Sequence, residues 1–373
     1  MSKVFDCYAS AAFGLEGLVA SELKRFGMDS VRAENGGVTF RADAKGILYA
    51  NLWSHFSDRI YLMLAIAGCK TFEDLYQAVY RVEWEAFFLR NAPINISCKC
   101  VRSTLMSPRD CQSVAKKAVI NRIREKTGQE YFPENGDPLL IQLSVRNDEL
   151  RILLNTSGEA LSRRGYRTWN GEAPLRETLA AALVELSPWR PGMPLHDPCC
   201  GTGTLLIEAA LMAANRAPGL YRSFTMEKMK GFGTLMPEEV RRDAENAVHF
   251  EKIVSVSGSD IDPEALDLAS RHVRQACLPA GSVQFYRRPL QDLSLEQENG
   301  VFLCNPPYGE RLSDREHCRK LYADLRSLRN RHPGWKMCAI SSDPAFERSY
   351  GQRADKKRRL YNGRLECVFY MYY

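Results

Sequence analysis

The chain has 373 residues, with 51 Lys and Arg against 45 Asp and Glu, so its formal net charge is +6. A chain of this length holds two or three domains of about 100–200 residues each, and its 45% hydrophobic and 26% charged content is ordinary for a globular protein. No apolar stretch approaches the ~20 residues that span a bilayer, and no signal-peptide pattern is present. We therefore expect a soluble cytoplasmic protein without a membrane partner, and the modest positive charge permits nucleic-acid binding.

Twelve cysteines and six histidines offer no recognisable metal motif. The cysteines are scattered without any C-x-x-C spacing, and the histidines do not cluster with them. Reduced thiols in a cytoplasmic protein are the plain interpretation. The sequence thus predicts neither disulfides nor a metal site.

The first ~156 residues alternate between strand and helix patterns. An amphipathic helix over Phe13–Gly27 follows a strand-like segment, and a hairpin turns at Asn35-Gly36-Gly37. Further on, Ile94–Cys100 alternates like a strand, a helix runs from about Ser107 to Thr127, and a second hairpin crosses Arg146–Asp148. This alternation is typical of a ferredoxin-like module followed by another small α+β domain.

A short strand, a glycine-containing turn and an Ala/Leu-rich helix follow one another over Pro194–Leu211. Gly201 and Gly203 allow close backbone approach to a ligand at a helix N-terminus. Neither a P-loop Gly-Lys-Ser/Thr nor the third glycine of a dinucleotide loop is present, since position 206 is Leu. An acid at the strand tip suits a cationic ammonium, such as that of S-adenosylmethionine. The predicted cofactor-binding residues here are Asp197, Cys199, Gly201, Thr202, Gly203 and Thr204.

Two more strands end near acidic residues. After the strand that begins at Ile253, Asp260 is placed to accept hydrogen bonds from ribose hydroxyls, with Ile261 against the adenine face. Asp262 is interpreted as the N-cap of the next helix. After the strand Val283–Tyr286, Asp292 could accept from the adenine amino group, and an ordinary loop acid is nearly as good an interpretation.

The segment Asn305-Pro306-Pro307-Tyr308 ends a buried apolar strand, because proline cannot continue the ladder. The Asn305 side chain and the Pro306 carbonyl would then lie at the carboxyl edge of the sheet and accept both hydrogens of an exocyclic amino group. Tyr308 offers a ring face for base stacking. A simple strand-ending turn is the alternative. These four residues are the predicted catalytic set, and Asn305 is also predicted to contact the cofactor.

The order of these segments is that of a class I S-adenosylmethionine-dependent methyltransferase acting on an amino group. With Arg163–Arg167, Ala173–Ala180 and Asn305–Leu312, the chain resembles the bacterial THUMP-domain RNA methyltransferases, and is similar to the guanine-N2 methyltransferase half of the 23S ribosomal RNA enzyme RlmL. Cys199-Cys200 departs from the Met-Cys or similar pair that is common there. The resemblance implies a ferredoxin-like module at 1–65, a THUMP domain at 66–156, a linker at 157–175 and, at 176–373, a Rossmann-like methyltransferase domain with a seven-stranded mixed sheet.

The implied activity is methylation of an exocyclic base amino group in RNA, with guanine N2 in 23S ribosomal RNA as the target and no dedicated general base. A DNA adenine-N6 methyltransferase and a non-catalytic RNA-binding assembly factor stay as alternatives. Clustered basic residues are usually solvated faces; beside a base-methylating site we interpret them as RNA contacts. The predicted RNA-binding residues are Lys116, Lys117, Arg122, Arg124, Arg163, Arg164 and Arg167.

Overall fold

A computed structural model describes residues 3–167, 175–232, 235–308 and 312–373, with the backbone only at 312–315. The chain forms two compact units. The first comprises Met1–Ala11, Val19–Leu161 and Arg222–Arg241, and the second comprises Ala12–Leu18, Ser162–Tyr221 and Arg242–Tyr373. None of the helices in the described ranges has the length and apolar character that a membrane crossing requires.

The first unit is built on a seven-stranded sheet with the order β2-β3-β1-β4-β7-β6-β5. Its strands are β1 (Val4–Ala11), β2 (Asp29–Glu34), β3 (Gly37–Asp43), β4 (Ser57–Gly68), β5 (Ile94–Val101), β6 (Leu139–Arg146) and β7 (Glu149–Asn155). Its helices are α1 (Glu16–Arg25), which begins in residues of the second unit, α2 (Ala44–Trp53), α3 (Phe72–Tyr80) and α4 (Pro108–Thr127). The β5–β6 pair is parallel and the other pairs are antiparallel. The alternation expected from the sequence is confirmed, including both hairpins.

Burial alternates along the strands of this sheet. In β6, Leu139, Ile141, Leu143 and Val145 are buried, and the residues between them are partly exposed. Successive side chains of a strand point to opposite faces, so one face of the sheet carries the apolar core. Helix α4 packs against β5 and contributes the buried side chains of Ala115, Ala118 and Val119.

The second unit contains a seven-stranded mixed sheet with the order β10-β9-β8-β11-β12-β14-β13. Its strands are β8 (Leu195–Asp197), β9 (Val256–Asp260), β10 (Gln284–Arg287), β11 (Gly300–Cys304), β12 (Trp335–Ser341), β13 (Lys356–Asn362) and β14 (Leu365–Tyr372). Its helices are α5 (Glu177–Leu186), α6 (Thr204–Ala213), α7 (Pro237–Asn246), which starts in residues of the first unit, α8 (Pro263–Gln275), α9 (Leu312–Arg331) and α10 (Phe346–Tyr350). The first five strands of this order run parallel, and β14 is antiparallel to both of its neighbours. The class I methyltransferase sheet that the sequence predicted is confirmed.

The start of β9 differs from the sequence prediction. The strand expected from Ile253 begins at Val256, because Phe250–Lys252 form a turn of 3₁₀ helix just before it. The acidic end of that strand is unaffected, since β9 still ends at Asp260.

The strand order reverses between β8 and β11. From β8 the chain proceeds to β9 and β10 on one side, whereas β11 and β12 lie on the other. Open α/β sheets bind ligands in the crevice at the carboxyl ends of the strands where this reversal occurs. In this chain, Asp197 ends β8 and Cys304 ends β11, so the loops that follow these two residues frame the crevice.

Candidate active site

The loop between β8 and α6 is held in a tight glycine-dependent conformation. Gly201 and Gly203 both have positive φ, at 48° and 79°. A Cβ atom on Gly203 would lie 3.1 Å from Cζ of Phe285 and 3.2 Å from Cβ of Ala269, so the loop packs closely on its neighbours there. A Cβ on Gly201 would meet open space. This opening lets the backbone approach a ligand at the start of α6.

The strand tips beside this loop carry two carboxylates. Asp197 is 2% exposed, and its Oδ1 accepts a hydrogen bond of 3.0 Å from the N–H of Cys199. Burial raises the pKa of the Asp197 carboxyl well above its usual range, and the negative charge of Asp260 raises it further. Asp260 accepts from the N–H of Gly201 at 2.8 Å and from the N–H of Asp262 at 3.0 Å. A positively charged ligand group would relieve the repulsion at these tips.

A cavity of about 330 Å³ opens at this edge of the sheet. It brings together four residues that the sequence singled out, namely Cys199, Asp260, Ile261 and Pro307. Ile261 is 62% exposed, so its side chain is accessible to a ligand in the cavity. The remaining lining residues were not anticipated, and they are Pro198, Arg288, Pro289, Leu290, Gln291, His317, Lys320, Leu321 and Asp324.

Two further acids were singled out by the sequence, and neither lines the cavity. Asp262 accepts from the N–H of Glu264 at 2.9 Å and caps α8, as expected. Asp292 is exposed at the end of a 3₁₀ turn, where Leu290 and Gln291 face the cavity instead. Nε2 of Gln291 donates to Oδ2 of Asp324 at 2.6 Å. An adenine contact by Asp292 therefore stays a prediction. Gln291, which lines the cavity, is missed by a search for acids that follow strands.

The Asn-Pro-Pro-Tyr turn leaves β11 with its polar groups held in place. The hydroxyl of Tyr308 donates a hydrogen bond to Oδ1 of Asn305. The hydroxyl of Tyr322, on α9, donates to the carbonyl of Pro307 at 2.9 Å. Burial raises the pKa of the Tyr308 phenol, which keeps it protonated as a donor. An amide oxygen has two lone pairs, so Asn305 retains one acceptor site beside the one that Tyr308 occupies.

Three further site residues lie around the start of α6. The carbonyl of Thr202 contacts Nδ1 of His272 at 3.2 Å, and Gly203 is the N-cap of the helix. The hydroxyl of Thr204 accepts from Nη2 of Arg167 at 2.7 Å. The side chain of Thr204 is thus hydrogen-bonded to Arg167, in the segment that precedes α5.

The Arg-Gly-Tyr-Arg segment lies in the interior of the second unit. Arg164 pairs with Glu208 at 3.5 Å, with side-chain exposures of 3% and 0%. Arg167 pairs with Glu177 at 3.6 Å, with exposures of 7% and 9%. The hydroxyl of Tyr166 donates to Oε1 of Glu208 at 2.9 Å. The predicted RNA contacts of Arg164 and Arg167 do not fit this structure, because both guanidinium groups are buried against acids; Arg163 is exposed.

Of the predicted RNA-binding residues on α4, one is also held in an ion pair within the fold and the others lie at the surface. Arg122 forms a two-point ion pair with Glu85, at 2.6 and 3.2 Å, and its side chain is only 16% exposed. The Arg122 guanidinium lowers the pKa of the Glu85 carboxyl. Lys117 is exposed, and Lys116 and Arg124 lie at the surface opposite Glu134 and Glu130. Arg122 therefore fixes the helix to the fold, and the other three remain available to a phosphate backbone.

The described ranges omit a few residues of the signature segments. Ala173, Pro174, Gly309, Glu310 and Arg311 fall outside them. Leu175 is inside them, and its carbonyl accepts from Nη2 of Arg167 at 2.9 Å.

Comparison with protein families divides the chain into three parts. A ferredoxin-like domain of RlmL matches residues 6–61, a THUMP domain matches residues 69–155, and an RMKL-like methyltransferase domain matches residues 164–371. The chain is 35% identical to a provisionally named RNA methyltransferase of Bacillus subtilis, YpsC, over 100% of this chain and 96% of that protein.

A second relative is much longer than this chain. The ribosomal RNA large subunit methyltransferase K/L of Shewanella frigidimarina is 34% identical over 99% of this chain and 53% of its own length. The chain thus spans about half of that protein.

Two solved structures share the fold over the whole chain. A predicted N6-adenine-specific DNA methylase from Listeria monocytogenes is 37% identical with a TM-score of 0.94, covering 100% of this chain and 96% of that one. The provisionally assigned methyltransferase SMU.472, in complex with SAH, is 34% identical with a TM-score of 0.91, covering 100% of this chain and 99% of that one. SAH is what remains of S-adenosylmethionine after the methyl group has left.

Proposed function

We infer the activity from the family, because the chain belongs to the RlmL-like methyltransferases with ferredoxin-like and THUMP domains. It is an RNA methyltransferase that uses S-adenosylmethionine. The proposal beyond this is methylation of an exocyclic base amino group, with guanine N2 of large-subunit ribosomal RNA as the substrate and the cytoplasm as the location. The observation that carries it is the Asn-Pro-Pro-Tyr turn beside an acid-lined cavity in one crevice.

The residues of the crevice fit S-adenosylmethionine, which supplies an electrophilic methyl group when bound. Asp197 and Asp260 bring negative charge to neighbouring strand tips, and the ligand carries an ammonium and a sulfonium that would offset this charge. Asp260 keeps free lone pairs for ribose hydroxyls, and the exposed side chain of Ile261 offers a surface to an adenine ring. The open side of Gly201 leaves room for the ligand at the loop.

The acceptor amine is proposed to bind at Asn305. Its Oδ1 and the Pro306 carbonyl accept the two amino hydrogens, which turns the nitrogen lone pair toward the methyl group. The hydroxyl of Tyr308 fixes the rotamer of Asn305, and Tyr322 fixes the turn through the Pro307 carbonyl. Such orientation is worth up to about 7–11 kcal/mol for well-placed reactants. The nitrogen becomes acidic once it is alkylated, so its proton passes to water and no dedicated base is assigned.

The RNA is proposed to be held by exposed basic residues and to present one base out of its stack. Lys116, Lys117, Arg124 and Arg163 are at the surface and suit phosphate contacts. The proposed role of the first unit is to select the RNA, because the cavity and the Asn-Pro-Pro-Tyr turn belong to the second.

The deciding experiment is methyl transfer from radiolabelled S-adenosylmethionine to ribosomal RNA and to DNA, followed by mass-spectrometric identification of the product. N2-methylguanine in large-subunit RNA, absent from cells that lack the protein, is the expected result. Label on adenine N6 of DNA would favour the DNA adenine-N6 methyltransferase, the activity for which the Listeria monocytogenes protein is named. Cofactor binding without methyl transfer to RNA or to DNA would favour a non-catalytic RNA-binding assembly factor.

A further inference from the structure

Three cysteines that are separated in the sequence meet in the first unit. Cys98 and Cys100 are two positions apart on β5 and point to the same face, and Cys111 lies in the first turn of α4. The Sγ atoms of Cys98 and Cys100 are 3.8 Å apart, and those of Cys100 and Cys111 are 4.0 Å apart. All three sulfurs lie within 4.8 Å of one another, and we call this group the thiol cluster.

The spacing of the thiol cluster matches the geometry of a zinc site. Sulfurs bonded at about 2.3 Å to one tetrahedral zinc ion lie about 3.8 Å from each other. Two of the three separations are already 3.8 and 4.0 Å. A change of about 1 Å at most closes the third, within reach of a side-chain torsion. The three residues sit on two secondary-structure elements that pack together, which keeps the sulfurs in place without an ion.

We propose that Cys98, Cys100 and Cys111 form a binding site for a thiophilic cation, Zn²⁺, in the RNA-binding unit. Thiolates select such soft or borderline cations over Mg²⁺ and Ca²⁺. Cys98 and Cys111 are buried, whereas Cys100 is half-buried and gives the ion an entry path. The fourth position of the tetrahedral ion belongs to water.

The protonation state of the cysteine thiols determines how the affinity for the ion depends on pH. Burial raises the pKa of the Cys111 thiol to about 11, and the neighbouring Cys100 adds to the shift; burial also raises the pKa of Cys98. At neutral pH these thiols keep their protons until the cation replaces them. Binding therefore releases up to three protons, and the apparent affinity rises with pH.

The bound ion would fasten the start of α4 to β5, the edge strand of the sheet. Helix α4 carries Lys116 and Lys117, so the ion would hold the proposed RNA-binding surface against its sheet. Because the ion binds the folded unit and not the unfolded chain in this geometry, it stabilises the fold. Its role is structural and does not depend on which base the enzyme methylates.

The test uses the full-length reduced protein after removal of metals, titrated with Co²⁺ and then with Zn²⁺. We expect one equivalent of Co²⁺ to give the visible absorption of tetrahedral thiolate coordination, and Zn²⁺ to displace it. Cys100→Ser should weaken Zn²⁺ binding more than about 100-fold, since even outer-shell changes cost about 10–100-fold. Cys277→Ser, an exposed thiol in the second unit, is the matched control and should bind as the wild type does.

X-ray absorption on the wild-type zinc complex identifies the atoms that coordinate the ion. It needs no variant, so it tests the site even if Cys100→Ser fails to fold. Three sulfurs at about 2.3 Å are expected. Coordination by nitrogen and oxygen only, less than half an equivalent bound, or equal affinity in Cys100→Ser and wild type would overturn the site. So would a Cys100–Cys111 disulfide in protein purified from a reducing cytoplasm, since those sulfurs could no longer bind an ion.

Discussion

Two groups of buried charge meet the start of α6, and the second unit treats them in opposite ways. In one, Arg164 and Arg167 are paired with Glu208 and Glu177, and Tyr166 and Thr204 add hydrogen bonds to Glu208 and Arg167. In the other, Asp197 lies buried near Asp260, whose negative charge raises the pKa of the Asp197 carboxyl. We call the first group, in which opposite charges are paired, the balanced cluster; in the second group two acids are neighbours.

This difference separates charged groups that stabilise the fold from charged groups that could bind a ligand. A balanced ion-pair cluster joins the Arg-Gly-Tyr-Arg segment to the helix that follows the glycine loop, so it positions the loop without touching a ligand. An unbalanced carboxylate costs free energy in the ligand-free protein, and a cationic ligand recovers that cost on binding. Asp197, whose pKa is raised beside a cavity that Asp260 lines, therefore points to a ligand-binding site.

The largest effect is expected in the balanced cluster. Glu208→Gln removes an acidic partner of the buried Arg164 and should lower the free energy of unfolding by about 3–5 kcal/mol, because breaking a buried ion pair on one side is strongly destabilising. Denaturant unfolding measures this. Asp267→Asn, which removes an exposed pair with Arg271 on α8, is the control and should change stability by less than about 0.5 kcal/mol. Equal effects in the two variants would remove the distinction between the clusters.

Asn305→Ala should nearly abolish methyl transfer and leave S-adenosylmethionine affinity intact. The reason is that the main proposed role of Asn305 is to orient the acceptor amine, and its predicted contact with the cofactor is one among many. A fall of at least about tenfold in rate corresponds to about 1.4 kcal/mol, which is the least that a loss of orientation should cost. Single-turnover kinetics and calorimetry measure the two properties separately. A variant that keeps more than a tenth of the rate would place the amine elsewhere.

Asp197→Asn tests the unbalanced acid. A hydrogen bond to a charged group contributes about 1.5–3 kcal/mol, so S-adenosylmethionine affinity should fall by that amount. Stability should respond differently. Since the folded pKa of Asp197 is raised, the ligand-free wild type binds more protons than its unfolded chain and loses stability as pH rises above the ordinary aspartate range.

The Asn variant should lack that component of the decline and be at least as stable as the wild type at neutral pH. Parallel unfolding series across pH, without ligand, compare the two proteins. A variant that is less stable than the wild type at neutral pH would show that Asp197 is a structural residue like Glu208.

Tyr308→Phe should have a smaller effect than Asn305→Ala. It removes the donor that holds Oδ1 of Asn305 and keeps the ring. A neutral hydrogen bond contributes about 0.5–1.5 kcal/mol, so the rate should fall about two- to twelvefold with little change in RNA affinity. A loss of RNA affinity in Tyr308→Leu that is absent in Tyr308→Phe would instead support base stacking by the ring.

The smallest effects are expected at exposed lysines of α4. Lys116→Ala and Lys117→Ala should each lower the salt slope of RNA binding by nearly one unit if each contacts a phosphate. The surface pair of Lys116 with Glu134 is weak and does not prevent this. Lys45→Ala, an exposed lysine on α2 of the same unit, is the control. Unchanged slopes in all three variants would show that α4 is not the RNA anchor.

Several residues of the candidate site could be predicted from the sequence because each lies at, or shortly after, the end of a strand. Asp197 and Asp260 end β8 and β9, and Gly201, Ile261 and Asn305 lie in the segments that follow β8, β9 and β11. These strands are parallel and end at the same edge of the sheet, so local pattern and topology together place the residues. Asp292 lies two residues into a 3₁₀ turn that pattern does not resolve, and the cavity is lined there by Gln291.

Which charged groups are buried was decided by the tertiary structure. Arg122, Arg164 and Arg167 look like the exposed basic residues around them, and their acidic partners lie at distances in sequence of 37, 44 and 10 residues for Glu85, Glu208 and Glu177. The thiol cluster has the same origin, since Cys100 and Cys111 are joined only when α4 packs on β5. The sequence by itself determined the order of strands, helices and motifs, because these follow from local periodicity and backbone chemistry. Partners across the fold depend on packing between elements, and no local pattern encodes that.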